Sequence, residues 1–287
     1  MSTPEAHAGE FPELVIRPPS RWSALQLGEL WTHRELIYFL TKRELQIRYK
    51  QSFFGVSWAI LQPLAFAFMF ALVFGEIFKT QPPNGIPYPV FAVAGVVPWL
   101  FFATSIQTAA GSLVLDANLI AKVYFPRLAL PLSKGLSLLI DLAIALVVVI
   151  AVTLLYGVGI SSNVWLVPAF LLLGVVTAFA IGTLLSAINV KYRDVQLVVP
   201  MIVQIMFFAS PVLYSGTQVG NQAGEAWRYI YSINPMASVL DGMRWALLDQ
   251  PYPGTVNILI SCASALVILL GALFYFRRAE NFFADVI

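Results

Sequence analysis

Apolar residues gather into six long runs along this chain, at about 57–78, 89–112, 135–156, 164–189, 195–215 and 255–276, and polar residues concentrate between them. A bilayer's hydrocarbon core is ~30 Å thick, so a crossing helix needs about 20 mostly apolar residues. Every run is near that length. Only Glu76, close to one end, and Asp141 place an acidic or basic side chain well inside one. The pattern predicts an all-α polytopic membrane protein whose six transmembrane helices occupy residues 51–287.

The segments between the runs are patterned too. Residues 22–50 mix Leu25, Leu30, Trp31, Ile37, Tyr38, Phe39 and Leu40 with basic residues, although Arg34 and Glu44 interrupt the apolar face. This predicts a helix lying in the cytoplasmic interface or against a partner protein. Residues 113–134 join an apolar helical stretch, Leu113 to Ile120, to Asp116, Asn118, Lys122, Tyr124 and Phe125, and reach Pro126 and Pro131. Solvated loops seldom carry so many large apolar residues. The segment reads either as a partly buried hairpin or as a short helix that docks on a separate cytoplasmic protein, the reading favoured here. In 216–254, Asn234 and Pro235 are suited to the N-cap and first position of a helix running to Leu248. Asp241 and Arg244 interrupt it and it is too short to cross, which predicts a helix that re-enters part-way or lies at the outer interface. Trp227, Tyr229, Tyr231 and Trp245 suit such a depth.

Charge sets the orientation. With six spans, 14 of the 17 lysines and arginines fall on the side of the termini, and only Lys79, Arg228 and Arg244 on the other. By the positive-inside rule both termini, 113–134 and 190–194 are cytoplasmic, while 79–88, 157–163 and 216–254 face outward. Residues 1–21 carry no apolar core and read as a flexible cytoplasmic tail rather than a signal peptide. Composition agrees with the membrane reading: 11% of residues are charged and mean hydropathy is +0.79, against roughly 25% charged in soluble domains. The single cysteine, Cys262, has no intrachain partner and reads as a small buried hydrophobe.

Within the spans, Phe66, Phe70, Phe74 and Phe78 recur every four residues, continuing from Phe54 and Trp58. Residues at i and i+4 share a helix face. Such a stripe serves lipid contact and helix packing, or lines a conduit for a sugar chain, whose C–H faces stack on aromatic rings. Asp141 is costly in a membrane and hence a functional candidate. It lies two turns from Lys134 on the same face, so it reaches the interface or pairs with a neighbouring helix. No second buried acid or histidine accompanies it, which argues against a proton-coupled carrier. Pro63, Pro98, Pro200 and Pro211 predict kinks. The sequence has no G-x-x-x-x-G-K-[ST] phosphate loop, metal-ligand cluster or nucleophile–base pair. No catalytic or metal-binding residue is therefore predicted, and any ATPase must be another chain.

An ordered set of motifs resembles one family. Arg43-Glu-Leu-Gln-Ile-Arg-Tyr-Lys-Gln-Ser-Phe-Phe-Gly-Val-Ser-Trp58 with Leu61-Gln-Pro63 is similar to the lead-in and first span of ABC-2-type polysaccharide export permeases. Asn118-Leu-Ile-Ala-Lys-Val-Tyr-Phe-Pro-Arg127, Tyr192-Arg-Asp194, Ser210-Pro-Val-Leu-Tyr214, Asn234-Pro235 and the closing Glu280-Asn-Phe-Phe-Ala-Asp-Val-Ile287 extend the resemblance over about residues 33–287. It implies a homodimer of six-span subunits in a bacterial plasma membrane, seated on two copies of a nucleotide-binding subunit that binds ATP and Mg. It also implies a channel at the dimer interface that passes a lipid-linked polysaccharide such as O-antigen, capsule or teichoic acid outward; no cofactor in this chain and no nucleic-acid partner is implied. On that reading Asp116, Asn118, Leu119, Ile120, Lys122, Tyr124 and Phe125 couple to the ATPase. Trp58, Phe66, Phe70, Phe74 and Trp99 line the channel, and Asn234, Pro235, Asp241 and Arg244 belong to an external gate. An exporter of drugs or small lipids and, more remotely, a membrane enzyme acting on a lipid-linked saccharide are the competing readings.

Overall fold

The computed structural model describes residues 27–50, 55, 57–218 and 224–286. The predicted tail over 1–21, residues 22–26 and Phe54 lie outside that set. Five helical segments of 21 to 28 residues are long and apolar enough to cross a membrane. They are α3 (Ser57–Phe70) with its continuation Ala71–Ile77, α4 (Tyr88–Leu115), α6 (Ala129–Leu155), α7 (Val167–Lys191) with a short lead-in from Val164, and the first 26 residues of α11 (Thr255–Val286). Two short helices, α1 (Leu27–Thr32) and α2 (Arg34–Tyr49), precede them. α5 (Ala117–Lys122) follows α4, and α8 (Val195–Ala209), α9 (Glu225–Tyr231) and α10 (Pro235–Leu248) separate α7 from α11.

The fifth predicted span is shorter than its apolar run. α8 stops at Ala209 after 15 residues, so it is about 22 Å long at ~1.5 Å per residue. Ser210–Ser215 continues as irregular chain, because Pro211 cannot supply the next helical N–H. The third span begins earlier than its apolar run, at Ala129, taking in Pro131 within its first turn, where a missing N–H costs nothing.

The spans also differ in rank. α4 is buried along most of its length, while α3 is mostly exposed. Small residues explain the central place of α4: Ala92, Ala94, Gly95, Ala103, Ala109, Ala110, Gly111 and Ser112 let neighbouring backbones approach closely. Opposite it on α7, a Cβ on Gly182 would lie 2.7 Å from that of Ala109. Asn189 then donates from Nδ2 to the Ala110 carbonyl at 3.0 Å, joining the same helices by a buried polar bond.

A second core gathers helix ends. Leu30, Ile37 and Leu40 of α1 and α2 pack with Leu113, Phe125, Leu128, Leu130, Val190 and Phe276. One face of the N-terminal helices is thus held by the protein, while Trp31, Tyr38, Phe39 and Ile47 remain exposed. The other end of the molecule is closed by α10, which is buried almost throughout and packs on α4, α7 and α11. The helix predicted to re-enter part-way or to lie at the outer interface is packed inside the protein. Cys262, predicted buried, is exposed on α11.

Candidate functional site

The aromatic stripe forms a continuous ladder. Phe66 stacks on Phe70 with ring centroids 6.1 Å apart, Phe70 meets Phe74 at 6.3 Å, and Phe74 meets Phe78 at 5.7 Å. Four residues overshoot a full α-helical turn, so a four-residue stripe drifts around an ordinary helix. Here α3 widens into a π-helix over Ala71–Ile77, with the Phe78 N–H donating to the Val73 carbonyl at 3.0 Å. The wider turn drifts in the opposite sense and so offsets the overshoot, which keeps Phe70, Phe74 and Phe78 in file. Gly75, within it, brings the chain so close to α4 that a Cβ there would meet Tyr88 Cβ at 3.3 Å. Two rings from other helices join the ladder: Phe207 of α8 stacks on Phe70 at 5.6 Å, and Tyr88 of α4 stacks on Phe74 at 6.1 Å. Trp99 lies behind Phe207, edge to face at 5.7 Å, and is only 3% exposed. It backs the ladder from behind Phe207.

Below the ladder, where the helix ends carry the basic residues, an ion-pair network ties α2 to α4, α5 and α6. Arg43 pairs with Glu44 at 3.2 Å and with Asp116; Lys134 pairs with Glu44 at 2.7 Å and with Asp116 at 3.3 Å. One step higher, Arg48 pairs with Asp141 at 2.5 Å and donates to Ser137 Oγ at 3.3 Å, and the Tyr49 hydroxyl donates to Asp141. Asp141 thus pairs with a neighbouring helix, α2, one of its two predicted placements. Burial of the Tyr49 ring and its bond to Asp141 push the phenol up to about 12. Burial pulls the Arg43 guanidinium down, but Asp116 and Glu44 outweigh it, and the net shift is upward.

Above the ladder, Arg244 of α10 is 1% exposed. Its Nε donates to the Phe91 carbonyl at 3.3 Å, Nη1 to those of Pro211 at 2.5 Å and Tyr214 at 3.0 Å, and Nη2 to that of Val212. Tyr88 donates to the Leu213 carbonyl at 2.8 Å. Four consecutive carbonyls of the irregular segment after α8 therefore accept from side chains. A buried carbonyl left unpaired costs free energy, and no water in a membrane core would serve it. The guanidinium also lies 3.7 Å from the Phe91 ring centroid and 3.9 Å from Asp241. Asp241 accepts from the Gly216 N–H at 3.2 Å. Asn234 caps α10 by accepting from Met236 N at 3.1 Å, and donates to Ser210 Oγ at 2.8 Å. Pro235 sits at the first helical position, as predicted.

The sequence model of the ABC-2 type transporter family matches residues 35–248, most of this chain. The chain belongs to that family. Among its relatives, the O-antigen export system permease protein RfbA of Myxococcus xanthus is 29% identical over 259 residues, covering 90% of this chain and 98% of its own. RfbA of Klebsiella pneumoniae is 29% identical over 257 residues, 88% of this chain and 95% of its own. The polysialic acid transport protein KpsM of Escherichia coli is 24% identical over 243 residues, 83% and 91% respectively.

In this ABC-2 transporter the residues predicted to couple to an ATPase divide. α4 ends at Leu115 and the chain breaks at Asp116, so Leu113–Ile120 is not one helix. Asp116 turns inward to Arg43 and Lys134, Phe125 is buried in the core of helix ends, and Leu119 and Ile120 pack against that core. Leu115, Asn118, Lys122, Val123 and Tyr124 face outward, Tyr124 completely. Trp58 is half exposed beside the ion-pair network. Sequence reasoning missed Phe207 and Tyr88, whose apolar surroundings give no sign that they complete the ladder. It also missed Arg48 as the partner of Asp141, although an arginine just before a span was the available signal.

Proposed function

We propose that this chain is the membrane subunit of an ATP-driven exporter that passes a lipid-linked polysaccharide from the cytoplasm outward between two copies of itself. The observation that carries this reading is the ladder from Phe66 to Phe78 with Phe207 and Tyr88. It offers repeated, chemically alike rings, exposed at Phe66 and Phe78, half-buried at Phe70, Phe74 and Phe207 and backed by the buried Tyr88, and no single strong site. Stacking on aromatic rings is worth ~1–3 kcal/mol per base in single-stranded nucleic-acid channels; weaker contacts with sugar rings suit a polymer that must bind and release at every step. The named relatives, matched over nearly their whole length, support a glycan as cargo. The excess of lysine and arginine on one side supports a cytoplasmic location for both termini and for α5. ATP and Mg belong on this reading to a separate subunit, docked on the surface around Leu115 and Tyr124. Asp241, Arg244 and the Asn234–Pro235 cap hold the outer closure.

The test is export in cells carrying Phe66→Leu, Phe70→Leu and Phe74→Leu singly and together. Leucine keeps the apolar character, so membrane levels should match the parent while export slows cumulatively. A triple variant exporting at the parental rate would return the ladder to packing or lipid contact. Tyr124→Asp should separately reduce co-purification of the ATPase without altering insertion.

A further inference from the structure

A cavity of about 220 Å³ opens between the end of α2, the start of α3, α4 and α6. Its lining is two-faced. Arg48, Tyr49, Asp141, Gln62 and Thr104 bring polar groups, and Trp58 supplies a half-exposed aromatic wall. The charges are already matched, since Arg48 pairs with Asp141 at 2.5 Å and Tyr49 donates to the same carboxylate. A phosphate would meet the Asp141 carboxylate and an amine would meet Arg48, so the balance disfavours both ions. What remains suits a neutral polyol: an amide at Gln62 and a hydroxyl at Thr104 without side-chain partners among the described residues, beside a flat apolar ring. The volume is below the roughly 300–1,000 Å³ of drug-sized sites, which matches one sugar ring and not an oligosaccharide or a lipid carrier. Trp58 and Gln62 also stand eight and four residues before Phe66, on the stripe that becomes the ladder.

The geometry points to a binding site for a single neutral pyranoside unit at the foot of the aromatic ladder, with Trp58 stacking and Gln62 and Thr104 hydrogen-bonding the ring hydroxyls. This assignment rests on the glycan-export reading for its substrate class. It adds a defined first station, where a sugar residue is held before it meets the rings above.

The test uses the full chain in phosphatidylcholine–phosphatidylglycerol nanodiscs, free of glycosidic detergent. Methyl hexopyranosides are titrated by saturation-transfer NMR, with butyl phosphate as the anionic competitor. Saturable transfer is expected, weakened about fivefold by Gln62→Leu and by Thr104→Val, the scale of one net hydrogen bond each. Ala59→Leu, which fills the cavity and leaves every polar group, should abolish it. Absence of saturable transfer, indifference to all three substitutions, or equal competition by butyl phosphate would overturn the assignment. Glycan export is scored separately in cells. Normal export by Ala59→Leu with glycoside binding lost removes the station and leaves the export reading standing. Glycoside binding by a parent that exports no glycan supports the site and removes the export reading.

Discussion

At the basic end, Arg43, Arg48 and Lys134 face Glu44, Asp116 and Asp141 across α2, the α4–α5 break and α6. At the far end a single arginine, Arg244, faces a row of main-chain carbonyls. The first junction is partly open to solvent, and Glu44 and Asp116 each lie within reach of both Arg43 and Lys134, so those two acids keep a cation if α2 shifts, while Asp141 rests on Arg48. At the second, one guanidinium of planar geometry serves the carbonyls of Pro211, Val212 and Tyr214 together with that of Phe91 on α4, and Tyr88 serves Leu213 between them. A network of exchangeable pairs tolerates movement at little cost; a sole buried arginine holds one arrangement or leaves several groups unpaired. The two ends are therefore built for different duties, sliding below and latching above.

The sharpest way to break the comparison is at the latch. Arg244→Ala should destabilise the protein by about 3–5 kcal/mol, as for loss of one partner from a buried charged network, read as a fall in the thermal unfolding midpoint in detergent. Arg244→Lys should recover only part of it, because a compact ammonium cannot span carbonyls from Phe91 to Tyr214 as the guanidinium fork does. Next in size is Gly95→Ala. Its Cβ would collide with the Arg244 guanidinium and the Val212 carbonyl, and overpacking of this kind costs about 1–3 kcal/mol. If Gly95→Ala were neutral, the latch would be looser than its geometry implies.

The lower junction should yield less. Arg48→Ala and Asp141→Ala are each expected to cost about 1 kcal/mol or less, as for part-exposed ion pairs. The double substitution should cost clearly less than the sum, since both remove one interaction. An effect as large as that at Arg244 would mean that solvent does not compensate the lost partner at this part-exposed pair. The smallest effect concerns Tyr49. Its phenol is held above the ordinary value of 10.0, at about 12, so the folded state keeps the proton more tightly than the unfolded chain. That contribution is fully present below pH ~10 and is lost as pH rises toward 12. A Tyr49→Phe variant should lack this alkaline component in its pH–stability curve.

Legibility in the sequence followed the range of the interactions. Apolar runs set by local composition revealed the spans, and Asn234-Pro235 revealed the start of α10 because a cap acts within three residues. The four-residue stripe was visible for the same reason, although the π-turn that keeps it in file was not. Asp141 stayed ambiguous because Arg48 lies 93 residues away. Asp116 was read outward because no local pattern shows that Arg43 and Lys134 converge on it. The acceptors of Arg244 were beyond reach altogether, since they are carbonyls of an irregular segment that no side-chain pattern encodes. The central place of α4 was legible only in hindsight, through its excess of Ala, Gly and Ser.

The short α8 carries a consequence for the surrounding lipid. At about 22 Å by its ~1.5 Å rise per residue, this helix falls short of a hydrocarbon layer ~30 Å thick, and the stapled turn from Ser210 to Ser215 makes up the rest. Each ångström of mismatch costs only a fraction of a kcal/mol, yet the strain would fall on a segment whose backbone is not helical. Acyl-chain length should thus act as a dial on the transporter, with thin bilayers sparing that turn and thick ones drawing it deeper into oil.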